Sequence, residues 1–329
     1  LISLNSIKKL IKNFYKNNSI GSMIAFKTKN PYGYGRVKVR NNFVTSVVEE
    51  LNASKFERKI NLCNSGVMLC SSSLLFNNIS KISNNNIKKE KFLPDIFSIF
   101  NKLNLSFSYV LGSEDEMLGV NTIQDLINIE TIFQKKIKDK IINGGVILQK
   151  PESIHLSFDT KIKQGSNIEP FVFIKPGVSI KNNVNIKSHS ILEKCTINSF
   201  SSIGPSARIR PYTKIGKNVK IGNFVEVKNS VIGDSTSISH LSYIGDSKLG
   251  KNINIGAGTI TCNYDGKRKN KTIINDNVFV GSNCSLVAPI TIGKNSTIGA
   301  GSVITKSIPK NHLALERSEI RILRKIRKK

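Results

Sequence analysis

Residues 197–227 read INSFSSIGPSARIRPYTKIGKNVKIGNFVEV, and every sixth residue is aliphatic: Ile197, Ile203, Ile209, Ile215, Ile221 and Val227. A helix repeats at 3.6 and a half-buried strand at 2, so a strict six belongs to neither. Upstream the same spacing runs through Ile162, Ile168, Ile174, Ile180, Ile186 and Leu192. Downstream it runs through Ile232, Ile238 and Ile244, then Leu249 and Ile255, then Ile274, Val280, Leu286, Ile292, Ile298 and Ile304. A fixed short period marks a solenoid, and a hexapeptide period marks a parallel β-helix. Each repeat is a short strand plus a corner. The aliphatic residue points inward and stacks on the one about eighteen positions later, giving room for about eight coils. Gly204, Gly216, Gly222, Gly281, Gly293 and Gly299 follow inward residues, where a bulky side chain would crowd the corner.

The period slips by one residue at Leu192–Ile197, Val227–Ile232 and Ile244–Leu249, steps that a shortened corner absorbs. Ile255 to Ile274 is a longer break, and a loop is expected to project there. Its sequence, TCNYDGKRKN at 261–270, is polar and turn-forming.

Residues 1–122 read as an α/β segment. A helix is expected over Ile2–Phe14, with strands at Ser22–Thr28, Gly35–Val39 and Phe43–Val48. Asn41-Asn42 turns the last two. Ile60–Leu69 and Leu74–Ile82 read as strand and helix, Ser83–Lys91 as a polar loop, and Leu105–Val110 as a strand. Apolar residues at Ile123, Leu126, Ile127, Phe133, Ile137 and Ile141 predict a linker helix over 123–144. The repeats fill 145–309, and a basic tail covers 310–329.

The chain has 329 residues, enough for two domains with sizeable cores. No apolar run reaches eighteen residues, which argues against a membrane span. LISLNSIKKL has neither an h-region nor a small-residue cleavage site, so it does not read as a signal peptide, and without Met it reads as the start of a fragment or of a chain that has lost its beginning. The five cysteines, Cys63, Cys70, Cys195, Cys262 and Cys284, form no C-x-x-C pair. That argues against a disulfide framework or zinc site and fits a reducing cytoplasm. The net charge is +28. Its Lys residues are scattered and not interleaved with aromatics, so Lys/Asn/Ile compositional bias is preferred to nucleic-acid binding. A basic surface still favours anionic ligands.

One part of the repeat departs from filler composition. Arg210 and Lys228 are eighteen residues apart, hence level on adjacent coils. They are either two solvated charges or a grip on an anion, for which phosphate is the natural candidate. His240 is one of four histidines. A lone His on a repeat protein is commonly structural, but this one lies near Tyr243 and about one coil from Glu226 and Lys228. A carboxylate beside an imidazole can fix its tautomer for general-base work.

The strings ARIRP, GNFVEVK, SHLSYIGD, NINIGAGTITCNYDGK and VFVGSNCSLVAP within 200–317 resemble one family. It is the bifunctional N-acetylglucosamine-1-phosphate uridylyltransferase/glucosamine-1-phosphate N-acetyltransferase. NPYGYGRV, VVEE, INLCNSGV and GVNT extend the resemblance over essentially the whole chain. It implies a partial Rossmann-like nucleotidyltransferase domain of α/β class, followed by a left-handed parallel β-helix. It also implies a cytoplasmic homotrimer that acetylates glucosamine-1-phosphate from acetyl-CoA and uses UTP to make UDP-N-acetylglucosamine. By resemblance His240 is the general base, with Glu226 as its orienting partner. Arg210, Lys228, Tyr243 and Lys269 would bind the sugar phosphate and hydroxyls. Asn254, Asn263 and Tyr264 would position the sugar and acetyl group. Ala257, Ser282, Ala300 and Arg317 would contact acetyl-CoA.

In the N-terminal part Gly35, Glu49 and Asn64 match the family's sugar-nucleotide contacts, and Asn121 matches its magnesium-site Asn. The Gly-rich phosphate loop and the Asp that binds Mg2+ would precede residue 1. Uridylyl transfer is therefore not expected of this chain, and a half-domain short of strands is expected to be poorly stable. Other readings are a lone acetyltransferase carrying a dead nucleotidyltransferase remnant, a lipid A pathway acyltransferase, testable with acyl-carrier-protein thioesters, and a β-solenoid scaffold. Nucleic-acid binding would show steep salt dependence.

Overall fold

The computed structural model describes residues 1–17, 19–84 and 89–316. Arg317, most of the basic tail and part of the 83–91 loop lie outside the described residues. The chain divides into two compact units, Leu1–Phe133 and Gln134–Lys329.

The first unit is α/β. Its helix Leu4–Lys16 starts at Ser3, whose hydroxyl accepts the Ser6 N–H. Five strands follow: β1 (Gly21–Lys27), β2 (Arg36–Arg40), β3 (Phe43–Val48), β4 (Leu62–Cys70) and β5 (Phe107–Leu111). Asn41 and Asn42 both take left-handed φ, 48° and 64°, which gives the expected tight turn between β2 and β3. The strands close in the order β1-β4-β2-β3-β5, with β1 and β5 parallel. Here β3 meets β5 at Phe43 and Ser108, so the five strands close on themselves. Met23, Val37, Val47 and Leu62 from the strands pack against Ile96, Phe97 and Phe100 of the helix Ile96–Lys102. The helical period of Ile96–Lys102 is too short to stand out in sequence.

The second unit is a left-handed parallel β-helix of about nine turns. Its three faces are parallel sheets of ten, nine and eight strands. The first coil begins at Ile147–Leu148, ahead of the Ile162 start visible in the repeat. Face 1 stacks Ile168, Ile186, Ile203, Ile221, Ile238, Ile255, Val280 and Ile298. Face 2 stacks Ile174, Leu192, Ile209, Val227 and Ile244, and later Leu286 and Ile304. Face 3 stacks Ile180, Ile197, Ile215, Ile232, Leu249, Ile274 and Ile292. These side chains form one buried column, and turn-to-turn N–H···O=C bonds satisfy the backbone.

The corners have two parts. Three residues before an inward side chain, the chain commonly takes positive φ, as at Asn183, His189, Lys194, Phe200 and Ser206. One residue after it comes the position expected to be small. A Cβ on Gly256 would lie 2.5 Å from Ser282 N, and one on Gly281 2.5 Å from Ala300 N. Close approach of coils therefore demands these glycines, and φ does not.

The phase slips fall in one place. The first step from face 1 to face 2, Leu148 to Leu156, takes eight residues; from Leu156 onward every step from face 1 to face 2 and from face 3 to face 1 is six. Steps from face 2 to face 3 vary: five at Leu192–Ile197, Val227–Ile232 and Ile244–Leu249, thirteen at Thr261–Ile274, four at Ile304–Ile308.

Candidate active site on the β-helix

The face 1–face 2 corner carries a row of expected site residues. Strand Ser237–His240 pairs with Lys220–Asn223, which sets His240 level with Asn223. Register carries the row onward to Ala257, Ser282 and Ala300, each beside a glycine of the close-approach column. The Ala257 carbonyl accepts the Asn283 N–H and the Ser282 carbonyl accepts the Gly301 N–H. Asn254 sits on the exposed side of face 1, level with Ser237 and Phe279.

Face 2 brings the charges. Arg208 pairs with Glu226 and Ile209 with Val227, so Arg210 stands level with Lys228, as the eighteen-residue spacing predicts. Glu226 Oε1 accepts a 2.7 Å hydrogen bond from Arg210 Nη1, and Arg208 lies 3.7 Å from Oε2. This bond holds the Arg210 guanidinium firmly charged. The neighbouring Lys269, then burial and Arg210, push the Lys228 ammonium below its ordinary range. Arg210, Lys228 and Lys269 therefore share one patch with Glu226 and Asp246, and the excess of positive charge beside Lys228 is one that a bound anion would offset.

Glu226 is thus engaged by the arginines. The side chain that meets His240 is Asn223, with Oδ1 2.7 Å from Nδ1. This corrects the expectation that Glu226 orients the imidazole. A carboxylate between two guanidiniums is already paired, whereas Asn223 is placed opposite His240 by strand register.

Tyr243 pairs across the ladder with Glu226, and its ring lies over Gly245, where a Cβ would meet Tyr243 Oη at 2.4 Å. The projecting loop starts from Thr261, which fills the inward face 2 slot that elsewhere is aliphatic. Its Oγ1 accepts the Gly245 N–H at 2.8 Å, so the hydroxyl replaces a ladder carbonyl where the chain leaves the coil. Asn263 is buried and donates to the Asp246 carboxylate, which also accepts from Asn229. Asn263 Nδ2 lies 3.5 Å from Tyr243 Oη, which joins loop and face. Asp265 accepts from the Lys267 and Arg268 N–H groups and from Asn270, and these donors hold its carboxyl down at about 2. Tyr264 donates to the Gly266 carbonyl and bridges to Lys269, so both sit on the exposed arm of the loop. Cys284 is buried, its Sγ 3.2 Å from the Gly299 carbonyl.

Asn223, Asp246 and Thr261 had no role in the sequence reading. For Asn223 the signal is its position one coil, seventeen residues, before His240. For Thr261 it is a polar residue in a hexapeptide slot.

In the first unit Gly35, Glu49 and Asn64 come together. The Gly35 carbonyl accepts the Asn64 N–H at 2.8 Å, and the Glu49 carboxylate packs over Gly35. Glu49 lines a cleft of about 240 Å³ with Tyr32, Gly33 and Phe92. Asn64 lines another of about 190 Å³ with Gly66, Met68 and Phe97. Asn121 stands at the start of the helix Ile123–Asn143, its N–H donating to Asp125 Oδ2. Among the described residues no group of three or more His, Cys, Asp or Glu is placed to hold a metal, and one exposed amide does not make an octahedral oxygen site for Mg2+. Among those residues no helix is long and apolar enough to cross a membrane.

Two family models match the β-helix: "GMPPB C-terminal domain" over residues 194–264 and "Bacterial transferase hexapeptide (six repeats)" over 271–306. The chain is similar to proteins named "Bifunctional protein GlmU". That of Bartonella bacilliformis is 41% identical over 94% of this chain and 69% of its own length. That of Bradyrhizobium diazoefficiens is 45% identical over 92% and 67%. That of Thermosipho melanesiensis is 40% identical over 97% and 73%. The chain thus spans about two thirds or a little more of these relatives. With the hexapeptide β-helix, the α/β unit ahead of it and this identity along nearly the whole chain, the protein belongs to the GlmU family of bifunctional acetyltransferase–uridylyltransferase enzymes.

Proposed function

We propose that the β-helix transfers acetyl from acetyl-CoA to the amine of glucosamine-1-phosphate, giving N-acetylglucosamine-1-phosphate and free CoA. The observation that carries this is the juxtaposition of two features. A histidine heads a corner row of small residues that a thioester could lie along, and three cations crowd the adjoining face. The sugar phosphate is held by Arg210, Lys228 and Lys269, with Tyr243 on the sugar hydroxyls. Asn254, Asn263 and Tyr264 position the sugar and acetyl group. Ala257, Ser282 and Ala300 line the acetyl-CoA path, and Arg317 is assigned to a CoA phosphate by resemblance alone.

His240 takes a proton from the amine as its nitrogen attacks the thioester carbonyl. The tetrahedral intermediate then collapses with loss of the CoA thiolate, which is protonated by the imidazolium. Alignment of amine and thioester supplies much of the acceleration, and no covalent enzyme intermediate is required. His240→Ala should lower kcat for glucosamine-1-phosphate-dependent thiol release by about 10²–10⁴-fold. Unchanged turnover in that variant refutes the assignment.

Gly35, Glu49 and Asn64 form a sugar-nucleotide wall suited to the family's UTP and N-acetylglucosamine-1-phosphate chemistry. Asn121 is its proposed magnesium-site residue. The described residues alone do not build that magnesium site. The active oligomer is proposed to be a homotrimer in the cytoplasm. An exposed apolar pair beside His240 supports contact with another chain there: Phe224 and Leu241 are 62% and 61% exposed. Exposed apolar side chains of this kind gain stability when a second chain covers them.

A further inference from the structure

We propose that Asn223 is the positioning residue that sets the tautomer of His240, a role that rests on the acetyltransferase reading above. Three observations support it. Asn223 and His240 are register partners on adjacent coils, so the backbone itself brings them level. The Asn223 carbonyl accepts the Leu241 N–H at 3.0 Å, which clamps the chain on the far side of His240. The Ser242 hydroxyl donates to the His240 carbonyl at 2.8 Å, so both polar groups of the peptide unit that follows the imidazole are held. Within this frame Asn223 Oδ1 lies 2.7 Å from His240 Nδ1.

An amide oxygen can only accept. Facing Nδ1, it requires the hydrogen on Nδ1 and leaves the Nε2 lone pair for the substrate amine. The partner is neutral. A carboxylate there would favour the imidazolium and raise the pH at which the base becomes available. Glu226, the nearby carboxylate, is held by Arg210 and Arg208. The ion pairs therefore hold that carboxylate away from the imidazole, and the base donates its Nδ1–H to an uncharged group.

Two variants separate the possibilities. Asn223→Asp keeps an acceptor opposite Nδ1. It should retain turnover within about tenfold at its optimum while moving the acidic limb of the kcat/KM profile up by about 1 pH unit. Asn223→Leu removes the acceptor and should lower kcat by about 10–100-fold with KM for the sugar phosphate nearly unchanged. Nitrogen-15 imidazole spectra of the intact chain, with His240 assigned by its loss in His240→Gln, read the tautomer directly. Wild type should show Nδ1–H, and Asn223→Leu a mixture or the Nε2–H form. The spectra need no activity, so a failed acetyltransferase assay leaves this test intact. The proposal is overturned if His240 carries its hydrogen on Nε2 in the wild type. It is equally overturned if Asn223→Asp abolishes turnover in a folded protein, since the amide would then be donating through Nδ2, or if Asn223→Leu leaves both tautomer and kcat as they were.

Discussion

Gly222 follows the inward Ile221, and a methyl group on it would overlap the carbonyl of Ser239 one coil away. The obstruction is backbone and cannot rotate aside. Gly222→Ala is therefore expected to cost about 1–3 kcal/mol, read as a lower urea midpoint for the β-helix at unchanged m-value. At this scale the sequence was readable in part. The six-residue spacing showed which side chains point inward, because one stacking position per repeat imposes one residue class. It showed the Arg210–Lys228 pair for the same reason. It did not show that Glu226 lies between Arg208 and Arg210 while Asn223 meets His240. Those pairings depend on which side chains lean across a corner, and a period carries no such information.

The loop at 263–270 is organised largely by its own first turn, with Asp265 as its hub. The Asp265 carboxyl is depressed from 3.8 to about 2, so its contribution to loop order is fully present above about pH 4 and is lost as pH falls through about 2. Asp265→Ala should make the Lys267 and Arg268 amides exchange faster at neutral pH without altering the exchange of the coils. Equal protection in both proteins would show that the loop is ordered from elsewhere. The element was foreseeable as a nineteen-residue break in the period, but its attachment was not. Thr261 and Asp246 fasten it through a hydroxyl in a core slot and a carboxylate between two asparagines. In the α/β unit, the strands and the Asn41-Asn42 turn were legible from alternation and turn chemistry. The closing of β3 onto β5 was not, because pairing between strands distant in sequence leaves no local pattern.

For the molecule as a whole, the row from Asn223 to Ala300 gives the active corner a straight edge, flanked by exposed Phe224 and Leu241. A Phe224→Ser/Leu241→Ser double variant should keep the β-sheet circular dichroism signal while sedimenting as a smaller species, with acetyl transfer reduced. Unchanged sedimentation would locate the subunit contact elsewhere. The net charge of +28 adds long-range attraction for anionic substrates, and the three-cation patch localises it.

Beyond the first coil, all variation in step length falls on the face 2–face 3 edge. Chain length is therefore a free variable at one edge of the prism and a fixed quantity at the other two. One residue inserted after Lys194 should leave melting and turnover close to wild type, since a six-residue step is already used at that edge. The same insertion after His189 should unfold the coil or abolish activity, because it would rotate every later inward residue relative to the catalytic row. The solenoid can then lengthen its third edge, even into a projecting arm, while the distance from His240 to Ala257, Ser282 and Ala300, the proposed thioester path, stays constant. New specificities on this scaffold would arise by editing that edge alone.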